Sequence, residues 1–208
     1  MDAVLLDALM RLPLSVLAAY FLWREWGALE AAQGALNVTA RVATMLFLAL
    51  IAAMTLARRR PVRKSEGWLP RFAALAGLLM LYALPVFPRA APDAAFDAAA
   101  LGLLVAGHFL CAVTLLQLGR SFSVMPEARR LVTAGLYARI RHPLYLAEAV
   151  AALGVFLLYR SPGAAVLVAA QFAVQLWRMH EEEKVLEAQF PEYAAYRART
   201  ARLIPGVY

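Results

Sequence analysis

Four stretches of the chain, residues 3–22, 38–57, 69–88 and 96–118, are apolar almost throughout. Each approaches or exceeds the roughly 20 residues that carry an α-helix across the hydrocarbon of a bilayer. In lipid every backbone N–H and C=O must be satisfied internally, which leaves the helix as the form for runs of this length. Two shorter runs follow at 143–159 and 163–177. The turn-rich Tyr159-Arg160-Ser161-Pro162-Gly163 between them is a break of the kind that joins antiparallel helices. The pattern predicts an all-α fold, a polytopic integral membrane helical bundle of about five or six spans with the last pair as a tight hairpin. Composition argues against a soluble alternative. Of the 208 residues, 63% are hydrophobic and only 17% are charged, and a soluble surface needs more polar cover than that.

The first run reads as a retained helix rather than a cleaved leader. Asp2 and Asp7 stand where a basic n-region belongs, and no small-x-small cleavage site follows the apolar core. Arg11 and Pro13 within it need protein or headgroup neighbours. The formal charge is +7, from 21 Lys and Arg against 14 Asp and Glu. Arg58, Arg59, Arg60, Arg63, Lys64 and Arg71 fill the second loop, and Arg120, Arg129, Arg130, Arg139 and Arg141 crowd the segment after the fourth run. The alternate loops carry only Arg24, Arg41, Arg89 and Arg160, so the other 17 of the 21 fall on one side. The positive-inside rule assigns that side to the cytoplasm. Both termini and the motif-bearing region then face the cytosol, in an inner (plasma) membrane. Charge arranged this way meets lipid headgroups, and no nucleic-acid partner is expected.

Cys111 is the only cysteine, which rules out an internal disulfide and a cysteine-based zinc site. No metal is expected. No repeat or linker divides the chain. It reads as one membrane domain, with N-terminal helices over 1–95 and a motif-bearing core over 96–208.

The chemistry concentrates in residues 118–148, LGRSFSVMPEARRLVTAGLYARIRHPLYLAE, and in Arg178-Met-His-Glu-Glu-Glu183. Ionisable groups are costly within or beside a bilayer, so a cluster between apolar helices marks a working site. Gly119 and Pro126 break the fourth helix, and Thr133-Ala134-Gly135 marks a turn before a short segment at 136–140. Pro143 suits the first turn of the next helix, where its missing N–H costs nothing. That sets His142 at or near the N-cap beside Arg141, where unpaired N–H groups favour an anion. Tyr145 lies within the first turn, and Glu148 three residues on can share its face. Taken alone, Arg-His-Pro-x-Tyr is equally the pattern of an interfacial anchor. Glu148 is equally a partner for Gln171, Gln175 or an arginine. Arg178 and Glu182 are spaced i, i+4 on one helix face, with Glu181 and Glu183 to the flanks. Alone, that run also fits a solvated helix with an ion pair. Phe190, Tyr193 and Tyr196, among Arg197, Arg199 and Arg202, form an amphipathic face suited to covering a membrane-surface site.

Together, RHPLYLAE, the Glu182-Glu183 pair followed by Leu186 and Phe190, and the FPEYAAYRART tail resemble the isoprenylcysteine carboxyl methyltransferase and phospholipid methyltransferase superfamily. The resemblance runs over about residues 100–208. It implies an integral membrane enzyme that moves a methyl group from S-adenosyl-L-methionine to a small lipophilic acceptor, a carboxylate, amine or thiol, at the membrane–cytosol boundary. The implied cofactor pocket is cytosolic and is formed by the C-terminal half, from Gly135, Leu136, Tyr137, Arg141, His142, Pro143, Tyr145, Glu182 and Glu183. His142 and backbone N–H groups around Gly135 and Pro143 are implied at the cofactor's amino-acid end. Tyr137 and Tyr145 are implied against the sulfonium, and Glu182 or Glu183 at the ammonium or ribose. Arg178 and Glu182 are the implied catalytic residues, Arg178 orienting an anionic acceptor. An amine or thiol acceptor needs a base, and Glu148 or Glu182 is then the candidate. An NADPH-dependent membrane reductase related to sterol reductases, or a scaffold without activity, is the alternative. No Gly-x-Gly-x-x-Gly occurs, which sets aside the soluble methyltransferase fold.

Overall fold

A computed structural model of the chain describes residues 3–207, without the side chains of residues 3–10 and Pro85. Asp2 and the Asp7 side chain therefore lie outside the described residues. Helices stand at all six apolar runs: α1 (Ala3–Glu30), α2 (Ala35–Ala57), α3 (Leu69–Leu79), α4 (Ala94–Leu118), α5 (Pro143–Tyr159) and α6 (Pro162–Gln189). A short α7 (Tyr193–Ala198) follows. α2, and α4 with the turn after it, are long and apolar enough to cross a membrane by length and composition, whereas α5 and the α3 region are apolar but shorter.

Three boundaries differ from the hydropathy runs, each for a local reason. α1 continues past the first run to Glu30. α3 gives way to a 3-10 turn over Met80–Val86, ahead of Pro85, whose nitrogen has no hydrogen to continue the i→i−4 ladder. α6 runs unbroken through the charged cluster, so one helix carries both an apolar half and Arg178, Glu182 and Glu183. Its start is capped by Ser161, whose side chain accepts from the Ala164 N–H, with Pro162 at the first position. The α5–α6 turn closes through Arg160 in the left-handed region (φ 43°), with its guanidinium donating to the Leu157 and Ala91 carbonyls at 2.8 and 2.6 Å. The expected tight hairpin is present.

α4 packs along α5, and small residues let the two backbones approach. A Cβ at Gly107 would lie 2.6 Å from the Ala151 nitrogen, and one at Gly154 would lie 2.7 Å from the Ala100 oxygen. Close approach of this kind is how apolar helices associate without a hydrophobic drive. α1 and α4 flank α2, while α3 rests on α6.

The loops add one departure from an all-α reading. β1 (Arg63–Lys64) pairs antiparallel with β2 (Glu127–Ala128), and the Arg59 N–H donates to the Arg120 carbonyl at 2.8 Å. Arg63 reaches the Ala188 carbonyl at the end of α6, 3.2 Å away. Arg11 finds its protein neighbours here, donating to the Leu56 and Arg58 carbonyls at 3.0 and 3.1 Å, as basic side chains do at helix C-termini. The second loop, the segment after α4 and the end of α6 thus share one end of the bundle. At the other end Arg41 meets Glu25 at 2.8 Å and Arg160 meets Asp97 at 3.8 Å. The division of basic residues read from the sequence is a division between two physical ends. Between the helices runs a cavity of about 820 Å³, walled mainly by apolar side chains such as Leu14, Phe47, Ile51, Leu104 and Val155, and reaching Glu148 and Val124 toward the basic end.

Candidate functional site

The α5–α6 hairpin brings the start of α5 and the end of α6 to the basic end, and two linked side-chain groups form where they meet. Glu183 is the centre of the first. Its Oε1 accepts from Arg141 Nε at 2.9 Å and from the His142 ring nitrogen Nε2 at 3.0 Å, and Arg202 lies 3.4 Å from its Oε2. Glu183 lies beyond the apolar run of α6. Burial alone would raise its pKa, but hydrogen bonds from His142 and Arg141, with the charges of His142 and Arg202, outweigh burial and bring it to about 2. His142 occupies the N-cap of α5 and is 3% exposed. Its ring serves Glu183 rather than the helix end.

The tail straps this corner. The Arg141 and His142 N–H groups donate to the Ala201 and Arg202 carbonyls at 2.8 and 3.1 Å, and the Ala201 N–H donates to Arg139 at 3.0 Å. Ile140 and Ala201 form a parallel bridge. The Arg141 guanidinium also donates to the carbonyls of Arg197 and Thr200. Tyr196 donates its hydroxyl to the Tyr137 carbonyl at 2.7 Å, and Tyr193 meets Tyr196 edge-on at 5.8 Å between ring centroids. Both tyrosines are buried, so the aromatic face of the tail covers the motif.

The second group runs toward the cavity. Tyr145 donates to Glu182 Oε2 at 3.1 Å and meets the His142 ring edge-on at 5.4 Å. The Arg178 guanidinium carbon sits 5.2 Å from the Tyr145 centroid. Arg178 is 8% exposed and donates to Gln175 Oε1 at 2.7 Å and to the Val124 carbonyl at 3.2 Å. Gln175 in turn donates to Glu148, the partner that one sequence reading anticipated. The solvated helix with an Arg178–Glu182 ion pair is not what forms, because packing takes Arg178 into the bundle. Gly77 on α3 makes room for it, since a Cβ there would lie 3.0 Å from Arg178 Cδ and Nη1.

Arg141, His142, Tyr145, Arg178, Glu182 and Glu183 are thus brought together, and Pro143 is buried at the α5 start. Tyr137 is buried beside them, its hydroxyl pKa pushed well up by burial and then by the charge of Glu182. Gly135 and Leu136 face α4 instead. The Leu136 N–H donates to Gln117 Oε1 at 2.9 Å. Gly135 has φ 65°, and a Cβ there would lie 2.6 Å from that oxygen. The Leu136, Arg141 and His142 N–H groups are therefore committed within the protein, and one face of Tyr145 is taken by Arg178. Sequence reasoning missed Gln117 and Gly77. It read Tyr193 and Arg202 only as parts of the covering tail face, not the ion pair of Arg202 with Glu183 or the Tyr193 hydroxyl, which is buried with no hydrogen-bond partner among the described residues. Only Gln117 left a signal, as a lone amide inside an apolar run.

Comparison with known proteins shows what these residues are similar to. Residues 100–188 match the family model described as the isoprenylcysteine carboxyl methyltransferase family. Protein-S-isoprenylcysteine O-methyltransferase of Schizosaccharomyces pombe is 33% identical over 121 residues, 53% of this chain and 50% of that protein. The cobalt-zinc-cadmium resistance protein CzcN of Cupriavidus metallidurans is 34% identical over 76 residues, 36% of this chain and 35% of that protein. The chain spans about half or less of the length of these relatives. In fold it is similar to the eukaryotic intramembrane Ras methyltransferase, with a TM-score of 0.54 at 18% identity, over 99% of this chain and 77% of the other. That likeness makes the helical arrangement an integral membrane fold. Over residues 100–188, the chain is similar to the isoprenylcysteine carboxyl methyltransferase family.

Proposed function

We propose that this protein is an S-adenosylmethionine-dependent methyltransferase that acts on a small lipophilic acceptor at the membrane–cytosol boundary. The observation that carries the reading is one juxtaposition. A largely enclosed polar cluster, Tyr145–Glu182 beside Arg141–His142–Glu183, is linked through Arg178 and Gln175 to Glu148, which lines a largely apolar cavity of about 820 Å³. Volumes of about 300–1,000 Å³ suit small-molecule sites. A polar cofactor from the cytosol and an acceptor from the lipid can meet there. The name of the S. pombe relative, an O-methyltransferase, supports the same chemistry.

The side chains fit the cofactor. S-adenosylmethionine supplies a sulfonium methyl together with ammonium, carboxylate and ribose groups. Glu182 accepts one neutral hydrogen bond from Tyr145 and keeps capacity for an ammonium or a ribose hydroxyl. The unpartnered Tyr193 hydroxyl is a donor for a carboxylate or ribose oxygen. Glu183 is used up by Arg141, His142 and Arg202, so it positions the RHP corner, and Glu182 makes the direct contact. Arg178, held by Gln175, Val124 and the Tyr145 face, orients a carboxylate acceptor with its planar fork. For an amine or thiol, Glu148 or Glu182 takes the proton. The burial of these groups keeps water from the reacting atoms, and their fixed placement supplies the in-line geometry that displacement at a methyl carbon needs.

The basic end faces the cytoplasm by the positive-inside rule, with six spanning segments, an even number that leaves both termini on that side of the inner membrane. The test is to incubate purified protein with methyl-labelled cofactor and lipid extract, and to follow the label by mass spectrometry. Label in a lipid-soluble product is expected. Absence of label, with NADPH binding in its place, would give the site to a reductase. Binding of neither cofactor would leave a scaffold.

A further inference from the structure

The cavity is not uniformly apolar: Arg24, Glu25, Arg41 and Asp97 line its far end and Glu148 its basic end, and Gln171 and His108 line it between them. α6 contributes Gln171, which is 4% exposed and lines the cavity. Its Nε2 donates to the Gly77 carbonyl at 2.6 Å. A carbonyl can only accept, so that bond fixes which way round the amide sits. The other atom, Oε1, is then an acceptor, and it is buried with no partner among the described residues. α4 contributes His108, 9% exposed, also on the cavity wall and 5.1 Å from the Phe47 ring. Its ring is turned toward the Leu104 carbonyl one turn back, and its Nδ1 has no other hydrogen-bond partner among the described residues.

Helix geometry sets the depth of the two. Gln171 lies four residues before Gln175, which is about 6 Å at 1.5 Å per residue. Gln175 is bonded to Glu148. On the facing pair of helices, Gly107 contacts Ala151, three residues or about 4.5 Å beyond Glu148. His108 and Gln171 therefore stand about one turn deeper than the Glu148–Gln175 pair, on two different helices that wall the same space.

The unpartnered Ser15 and Thr55 hydroxyls do not line the cavity, and other polar groups in the apolar region are satisfied. Thr114 donates to the Leu110 and Cys111 carbonyls at 3.0 and 2.9 Å, and Gln175 bridges Glu148 and Arg178. An unmade hydrogen bond in such surroundings is costly, and ionisable or amide groups within a membrane bundle are kept where they contact something. An unfilled acceptor on one helix and an imidazole on another call for a ligand that donates hydrogen bonds partway along its apolar body.

We propose that the acceptor is a lipophile with a hydroxyl or amide N–H within its apolar part, held by Gln171 Oε1 and His108 one turn inside the reacting end. This rests on the reading of the cavity as the acceptor's site, and it narrows that site away from a plain hydrocarbon tail. Gln171 and His108 act as specificity-determining residues. They stand too deep in the bundle to contact the methyl group, and Gln171 lies seven residues, about 10 Å along α6, from Arg178.

The test is calorimetric titration of the full chain, saturated with S-adenosylhomocysteine, with stearic acid and with a mid-chain hydroxystearic acid. The wild type should bind the hydroxy acid at least fivefold more tightly. His108→Phe and Gln171→Leu should each remove that preference while keeping affinity for stearic acid and for S-adenosylhomocysteine. Gln171→Leu also unpairs the Gly77 carbonyl, so His108→Phe carries the assignment if the first variant does not fold. Equal affinities in the wild type, no binding of either acid, or a preference that survives His108→Phe would each overturn the inference. S-adenosylhomocysteine binding that persists in those cases leaves the methyltransferase reading standing. Its absence at the start removes that reading instead.

Discussion

Both ends of the bundle carry arginine–carboxylate pairs, yet the two ends are built differently. At the far end, Arg160 and Asp97 stand 3.8 Å apart with the Asp97 side chain 41% exposed, and Arg41 meets Glu25 with both partly in solvent. At the basic end one carboxylate, Glu183, gathers Arg141, His142 and Arg202, and the tail backbone closes over them. Exposed pairs are worth under about 1 kcal/mol because water competes for each partner. Removing one member of a buried group leaves uncompensated charge. The far end has the character of an anchor and the basic end that of a site.

Labelling should separate the two ends completely. Ser65 is buried, so the probe positions are the exposed Glu66 and Gln33. In a Cys111→Ser background, Gln33→Cys should react with an impermeant maleimide on intact spheroplasts, and Glu66→Cys should not. The reverse pattern would invert the topology.

Glu183→Ala should produce the largest energetic loss, roughly 3–5 kcal/mol by thermal or denaturant unfolding in detergent, because three basic groups lose their shared partner. A loss as small as that of a surface pair would make the two ends alike. Next comes Arg178→Lys, which keeps the charge but loses the planar fork. Turnover should fall by about tenfold or more while cofactor affinity holds. Near-normal turnover would remove Arg178 from the chemistry.

The ionisation of Glu183 gives a smaller, pH-resolved difference. Its folded pKa of about 2 lies below its ordinary 4.5. The stability it contributes is therefore fully present above about pH 4.5 and lost as the pH falls toward 2. Wild type should lose Tm over that window relative to Glu183→Gln, which has no carboxylate to protonate there. Parallel curves would contradict the assignment. Smallest of all is Asp97→Asn at the far end, expected to change stability by less than about 1 kcal/mol.

The helices were legible in the sequence because lipid imposes long apolar runs, and the hairpin because Ser161-Pro162 caps and starts α6. His142 at the α5 start was legible from the position of Pro143, and Gln175 was one of the partners the sequence offered Glu148. The strap at Ala201 and Arg202, the Gln117 contact to Leu136 and the space Gly77 leaves for Arg178 were not. These join segments far apart in the chain through single contacts, which leave no periodicity. Burial of Arg178 was hidden for a related reason: α6 carries its charged residues on an unbroken helix, and only the packing of α3 decides which of them turns inward.

The most direct test of the cofactor site is titration of purified protein with S-adenosylhomocysteine, wild type against Glu182→Gln. Glu182 is held by Tyr145 alone among the described hydrogen bonds, so the glutamine variant should keep its Tm. Its affinity should fall by about ten- to a hundredfold, the worth of one charge-assisted hydrogen bond. Equal affinity in the two proteins would contradict the placement of the cofactor at this site.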